Sequence, residues 1–495
     1  MRPSDLARRL AEAPSTDLGL SRALSPSQDD STDEVALPPD DETQQSVRFC
    51  TGTACTFAGG LKLRDRLAGI AGASPVRCLG TCHDAPAAQR GHEVFGGVNR
   101  LPVELWSGEL SASLLLGASA KRVPRVSLVK PAALLRRVLD GQATPNAAMY
   151  ELPSGEEILR RVEALGLHEP GRPDRTLTAR WREARATPAE RRFVVARGDE
   201  GEPGSFLDRV VTEDDPHAVL AGLHAAARAA DAREAIIYLR AEYVGAHRAM
   251  ERAIHEAHAA GWLGDDLHVE LVIGQGPYIC GEEASLLRAI ERGRPHARPL
   301  APFPVHRGLW GCPTVVHSVE SLLTLNTTLT TGRGQDRRLI CVSGAVREPG
   351  VVEALHGMTA GQIIDEGAGG LKDGVRMVLV GGPRGRVLNA DELDLPLDPE
   401  HVPGMGYGSL MVLSEDVTPR ALAEHLFQFT AAESCGACTA CRVGASLMPK
   451  MVDSEALTTL MEHMSSAARC GFGRETPRPV LDLLRLYPGE LFPHK

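Results

Sequence analysis

RFVVARG at residues 192–198, AIIYLR at 235–240 and HVELVIG at 268–274 are apolar, β-branched runs, each the length of a single strand. Helical patterns cover 217–230 and 246–261 between them, and EEASLLRAIERG follows at 282–293. Strands separated by helices predict βαβ units and a parallel sheet, with ligand-binding loops at the carboxyl ends of the strands. Two loops in that position are chemically unusual. RGDEGEPGSFLDR (197–209) follows the first strand and carries Asp199, Glu200, Glu202 and Asp208, and IGQGPYICGEEASLL (273–287) follows the third, opening a helix at Gly281, Glu282 and Glu283. Acids at a helix N-terminus also serve as plain capping. Two such segments at neighbouring strand ends nonetheless indicate a shared crevice. Residues 299–321 add Phe303 and Trp310 among prolines and glycines, for which an exposed aromatic face and core packing are equal readings.

Outward from this region the pattern changes several times, as expected for a chain of 495 residues. Residues 1–45 are acidic and polar and read as a disordered tail. Residues 46–120 form a small α/β unit with a strand ending in Cys50, a helix over 61–70 and a strand near Val76; 125–180 are helical by period, including PAALLRRVL and GEEILRRVEALGL. The α/β domain then spans 125–335, short strands suggest a compact β-grasp-like module over 336–414, and 415–495 is helical. With 54 Lys and Arg against 64 Asp and Glu, the net charge of −10 argues against nucleic acid as a partner. No apolar run approaches the roughly 18 residues of a membrane span, and MRPSDLARRLAEA lacks a signal-peptide core, so membrane insertion is excluded and a cytoplasmic location expected.

A reducing compartment changes how the cysteines read, because eight of the eleven are clustered. Cys435, Cys438 and Cys441 form C-x2-C-x2-C, and Cys470 follows in ARCGFG. A triplet with one remote thiolate favours a 4Fe-4S cluster, whereas zinc usually takes two pairs; zinc and free thiols are the alternatives. Cys50 and Cys55, with Cys78 and Cys82, make two pairs that face one another across a 2Fe-2S centre, with zinc the stronger competitor here. Cys280, Cys312 and Cys341 stand alone and read as buried apolar residues.

RGDEGEPGSFLDR, YICGEEASLL, PFPVHRGLWGCPT, VSGAVREPGVVE, ESCGACTACRVG and ARCGFG together, in this order, resemble the FMN-carrying, NADH-oxidising subunit of respiratory complex I and the diaphorase subunits of NAD-linked formate dehydrogenases and hydrogenases. The resemblance runs from about residue 132 to the C-terminus, and the first domain looks like the 2Fe-2S partner of the same complexes, here joined in front. It implies an α/β multidomain fold: a thioredoxin-like domain, a Rossmann-like flavin and nucleotide domain, a ubiquitin-like (SLBB-type) domain and a helical 4Fe-4S bundle. It further implies hydride transfer from NAD(P)H to FMN, and relay through the clusters to other subunits of an oxidoreductase complex. By the same resemblance Glu202 and Glu282 are catalytic, Asp199, Glu200, Tyr278, Gly281 and Glu283 line the flavin and nicotinamide pocket, and Phe303 stacks on adenine.

This chain departs from the family at the flavin. Where the family has a glycine-rich loop and a Lys-Trp pair, residues 168–178 read HEPGRPDRTLT and are followed by Ala179, Arg180 and Trp181. Bare backbone amides against phosphate and ring are thereby lost. The family's Asn ahead of the acidic run is Arg197, its Asn pair is His317 and Ser318, and a nucleotide-side Lys is Leu300. These changes predict relaxed or altered flavin use, with Arg172, Arg175 or Arg180 on phosphate in place of amides. A flavin-free iron-sulfur conduit is the alternative.

Overall fold

The computed structural model describes residues 47–67, 73–91, 93–98, 122–169, 172–264, 267–274, 277–298, 302–372, 374–405 and 408–492, with backbone only at 172–174; the expected tail lies outside them. The architecture is mixed α/β, built on separate sheets.

In the first sheet β1 (Val47–Cys50) lies between parallel β2 (Ala73–Val76) and antiparallel β3 (Ala88–Arg90), with β4 (Glu93–Phe95) outside. The helix Leu61–Leu67 buries Leu63 and Leu67, one turn apart, against Val47, Phe49 and Phe95. Because β1 and β2 run parallel, their carboxyl ends point the same way, which brings the loops carrying Cys50 and Cys78 together.

Next along the chain come β5 (Arg125–Ser127) and a hairpin of β6 (His168–Glu169) with β7 (Arg172–Thr176). The hairpin occupies the stretch where the family carries its glycine-rich loop. Of PAALLRRVL only Arg136–Leu139 is helical. The buried Glu353 carboxylate accepts the amides of Ala133, Leu134 and Leu135 at 2.8, 3.1 and 3.2 Å, and so fixes a turn where periodicity alone predicts a longer helix.

The second sheet holds β8 (Phe193–Gly198), β9 (Glu234–Arg240), β10 (His268–Gly274) and β11 (Thr314–Ser318), all parallel, in the order β10-β9-β8-β11. Every residue of β8 is buried, as an interior parallel strand requires. The chain moves outward from β8 to β10 and returns to the other side of β8 as β11, so its direction reverses between β8 and β11. The connecting helix Pro216–Ala230 is capped by Asp215 and begins on a proline.

The third sheet has β12 (Arg337–Gly344), β13 (Gly350–Leu355), β14 (Val375–Val380), β15 (Arg386–Leu388) and β16 (Ser409–Ser414), in the order β15-β14-β16-β12-β13-β5. It therefore recruits β5 from the chain ahead of the second sheet. The helices Pro419–Glu433, Thr439–Leu447, Ser454–Ala467, Gly471–Glu475 and Arg478–Leu486 complete the chain. Cys438 and Cys470 are the N-cap residues of two of them.

Candidate functional site

A crevice opens beside a parallel sheet where the strand order reverses. Here β8 delivers Arg197 and then Asp199, Glu200 and Glu202, β11 ends in His317 and Ser318, and the turn Tyr278–Gly281 arrives after β10. Asp208, Glu320 and Arg384 complete the lining. The sequence-selected Asp199, Glu200, Glu202, Tyr278 and Gly281 therefore meet in one place. Glu282, Glu283 and Phe303 line an adjoining cavity instead.

The chain fills this crevice with its own side chains. Arg197 donates to the Gly281 carbonyl at 2.7 Å and lies 3.2 Å from Asp199. Arg384 donates to the Tyr278 hydroxyl at 2.8 Å and to Glu282 at 3.3 Å, and the Tyr278 hydroxyl donates to Glu202 at 2.5 Å. Arg180 donates to the Val316 carbonyl and to Glu283, both at 2.8 Å. About 30 Å³ of space remains.

Beneath β11 the hairpin inserts Glu169, which accepts from His317 Nδ1, from Ser321 Oγ at 2.6 Å and from the Ser318 amide at 3.3 Å, with Arg180 3.7 Å away. Trp181 donates its indole N–H to His317 Nε2 at 2.8 Å, which puts the imidazole proton on Nδ1, facing Glu169. Of the arginines expected on phosphate, Arg180 is thus committed internally, Arg175 pairs with Glu183 and lies 5.7 Å over the Phe303 ring, and the Arg172 side chain lies outside the described residues. Sequence reading missed Glu169, in the short strand β6, and Arg384, in a turn after β14: neither lies in a motif, and only the tertiary fold brings Glu169 beneath β11 and Arg384 into the crevice.

Burial pushes the Glu202 carboxyl up to about 7, against the pull of Arg384 and the Tyr278 hydroxyl. Burial also raises Asp199, Glu200 and Asp208, with Glu202 and Glu320 adding to the rise of Glu200 and Glu200 to that of Asp208. For Glu169 burial is outweighed by His317, Arg180 and the Ser321 hydroxyl, which hold its carboxyl below the usual range. A crevice lined in this way holds and releases protons near neutrality.

The adjoining cavity measures about 670 Å³, and Phe303, Trp310, Arg288 and Arg298 line it with Glu282, Glu283 and Cys470. Phe303 is 44% exposed and Trp310 53%, so both present faces to the cavity, although Trp310 also leans on Phe193. Trp310 takes φ +48°, in the left-handed region, within the turn that carries it.

Cys50, Cys55, Cys78 and Cys82 lie together, buried and unpaired by disulfides. Hydrogen bonding among the thiols and burial push the titration of Cys50, Cys78 and Cys82 up, that of Cys78 to about 12. The Gly204 amide, at φ +102°, donates to Cys82 Sγ at 3.3 Å, which joins this site to the acidic loop. Cys435, Cys438, Cys441 and Cys470 are likewise neighbours, and Gly436 at φ +73° makes the turn of the triplet. Burial raises Cys441 to about 11 and Cys470 to about 12, the latter helped by Glu282. Cys280 and Cys341 are buried as expected, whereas Cys312 is partly exposed.

An acid-lined crevice at a strand reversal, a nucleotide-sized cavity beside it and two sets of cysteines define an electron-transfer subunit that oxidises NAD(P)H. Residues 162–327 match the Nuo51 FMN-binding domain, and 421–494 match the NADH-ubiquinone oxidoreductase-F iron-sulfur binding region. The chain is 33% identical over 365 residues to the F-type component of the Aquifex aeolicus NADH-quinone oxidoreductase, covering 68% of this chain and 85% of that one. It is 30% identical over 374 residues to HndC of the NADP-reducing hydrogenase from Solidesulfovibrio fructosivorans, covering 68% and 76%. The crystal structure of an NAD+-reducing [NiFe]-hydrogenase in the H2-reduced state superposes with a TM-score of 0.80 at 29% identity, over 91% of this chain and 84% of that one. The chain belongs to the family of F-type NADH-quinone oxidoreductase components and their hydrogenase counterparts.

FMN gives the matched domain its name, and small-molecule sites of that kind enclose at least about 300 Å³. The crevice, with about 30 Å³ of space and the Arg197 and Arg384 guanidinium groups lining it, does not fit a flavin in this arrangement. Each cysteine set offers neighbouring thiols free of disulfides, and Cys435, Cys438, Cys441 and Cys470 lie within the matched iron-sulfur region.

Proposed function

We propose that nicotinamide nucleotide occupies the cavity beside Glu282 and Glu283, and that electrons leave through the C-terminal cysteine site toward other subunits of an oxidoreductase complex. The observation that carries this reading is a shared wall: Cys470 lines the same cavity as Phe303, Glu282 and Glu283. Phe303 and Trp310 supply aromatic faces for adenine, and Arg288 and Arg298 supply charge for phosphates. Glu202 and Glu282 are the carboxyls that manage protons where nucleotide and crevice meet. Cys435, Cys438, Cys441 and Cys470 would hold a 4Fe-4S cluster and Cys50, Cys55, Cys78 and Cys82 a 2Fe-2S centre, each a one-electron carrier, so the nucleotide's hydride would have to be taken up and its electron pair split by the FMN for which the matched domain is named. The domains are then, in order, thioredoxin-like, Rossmann-like, ubiquitin-like and a helical bundle. No described helix is long and apolar enough to cross a membrane, and a cytoplasmic setting suits eight clustered, unpaired thiols.

The test is reduction of ferricyanide by NADH and by NADPH, with paramagnetic resonance of the clusters in the full chain. Phe303→Ala is expected to raise KM with kcat little changed, because it removes binding surface only. Clusters reducible by dithionite but by neither nucleotide would refute the nucleotide half of this reading.

A further inference from the structure

Two guanidinium groups from different elements, Arg197 and Arg384, staple the crevice shut, and Arg180 ties together the elements on its flank. Arg197, at the end of β8, reaches the carbonyl of Gly281. Arg180, in the helix Leu177–Ala186, joins the Val316 carbonyl in β11 to Glu283 at the start of the helix Glu283–Ile290. Arg384, in the turn after β14, joins the third sheet to Tyr278 and Glu282. Arg180 and Arg197 are 5% and 8% exposed, so these pairs are screened little by solvent. Any ligand entering the crevice must first part the Arg197 and Arg384 contacts.

We infer that Arg197 and Arg384 form a latch that competes with flavin for this crevice, so that the chain holds FMN weakly and exchangeably. The inference rests on the family's flavin domain remaining functional here; it does not depend on where the nucleotide binds. Two features argue for a latch and against permanent filling. Among the described residues, Asp199 Oδ2 and Glu202 Oε1 are buried at the crevice without a hydrogen-bond partner, a costly state that a ligand bearing N–H or O–H groups relieves. The latching contacts run from side chains to a carbonyl, a hydroxyl and carboxylates, so parting them breaks no backbone pairing. The cost of parting buried pairs is subtracted from the affinity, and flavin retention falls accordingly.

The experiment uses the full chain with its clusters, equilibrated with FMN, desalted, and assayed for retained flavin by fluorescence after acid release; a titration gives the dissociation constant. Wild type is expected to bind FMN saturably yet lose most of it on the column. Arg197→Asn and Arg384→Ser, each with unchanged iron content and circular dichroism, are expected to bind FMN about tenfold tighter or more, which corresponds to about 1.4 kcal/mol. Near-stoichiometric flavin retained by desalted wild type overturns the latch. So does saturable binding that neither folded variant tightens. Absence of saturable binding to wild type also overturns it, in favour of a flavin-free conduit. Nucleotide-dependent ferricyanide reduction is followed separately, so failure of the electron-transfer reading is distinguishable from failure of the latch.

Discussion

Glu202 carries a proton to about pH 7 because burial outweighs Arg384 and Tyr278, whereas its ordinary value is 4.5. Between those values the unfolded chain ionises this carboxyl first, so its contribution to stability is intact below about 4.5 and is lost as pH rises through 7. Glu202→Gln keeps an acceptor for Tyr278 but cannot ionise. Its stability relative to wild type should therefore improve from pH 4.5 to pH 8, by up to about 3 kcal/mol, in denaturant titrations at the two pH values. Glu169 has the opposite sign: its carboxyl is held low, so its contribution is present at neutral pH and lost on acidification. Glu169→Gln removes one partner of a buried charge network and is expected to cost about 3–5 kcal/mol at pH 7, read as a lowered thermal midpoint. An unchanged midpoint would show that Arg180 does not need it.

At the scale of elements, the two cysteine sites depend on different backbone devices. The C-terminal set needs the left-handed Gly436 and the helix that begins after Cys470, while the N-terminal set needs two parallel strands ending side by side. Cys470→Ser should lower iron and sulfide by about four each per chain and Cys78→Ser by about two each, with each variant keeping the other centre's resonance signal. A single loss that removes both signals would show that the sites assemble cooperatively. Because burial holds Cys470 protonated, and the hydrogen bond from Cys50 with burial holds Cys78 protonated, cluster assembly must release protons and should slow as pH falls.

At the scale of the whole molecule, the N-terminal cysteine unit packs Ala54, Cys78 and Cys82 into the main core and makes polar contacts with it, among them those around His425. Thr53 Oγ1 and His425 Nε2 lie 3.0 Å apart, Arg77 donates to Glu433 at 3.0 Å, and Glu433 also accepts the Tyr278 amide at 3.2 Å. Burial, with Arg77 beside it, pulls the His425 imidazole down to about 4. It is therefore neutral when docked, and undocking is favoured as pH falls from 6.5 toward 4, because the released ring takes up a proton. Hydrogen exchange in the segment around Thr53 should accelerate over that interval in wild type, and the acceleration should flatten in His425→Gln. Identical profiles would assign the docking to Arg77 and Glu433 instead.

The sequence by itself determined what local chemistry can encode. Period and composition located the β8, β9 and β10 strands with their helices, and cysteine spacing picked out two ligand sets, because strand patterning and thiol spacing act over a few residues. Acids after β8, and the turn Tyr278–Gly281, marked the crevice for the same reason. Tertiary structure decided the rest. That PAALLRRVL is mostly not helix depends on Glu353, more than 200 residues away, whose carboxylate caps its amides. That β5 joins the third sheet depends on pairing with β13. Above all, the replacement loop at 168–178 showed only that glycines are missing. Its folding as a hairpin that buries Glu169 beneath His317, and the arrival of Arg384 from a separate sheet, follow from packing that brings distant charges into a space water does not reach, where each must find a partner.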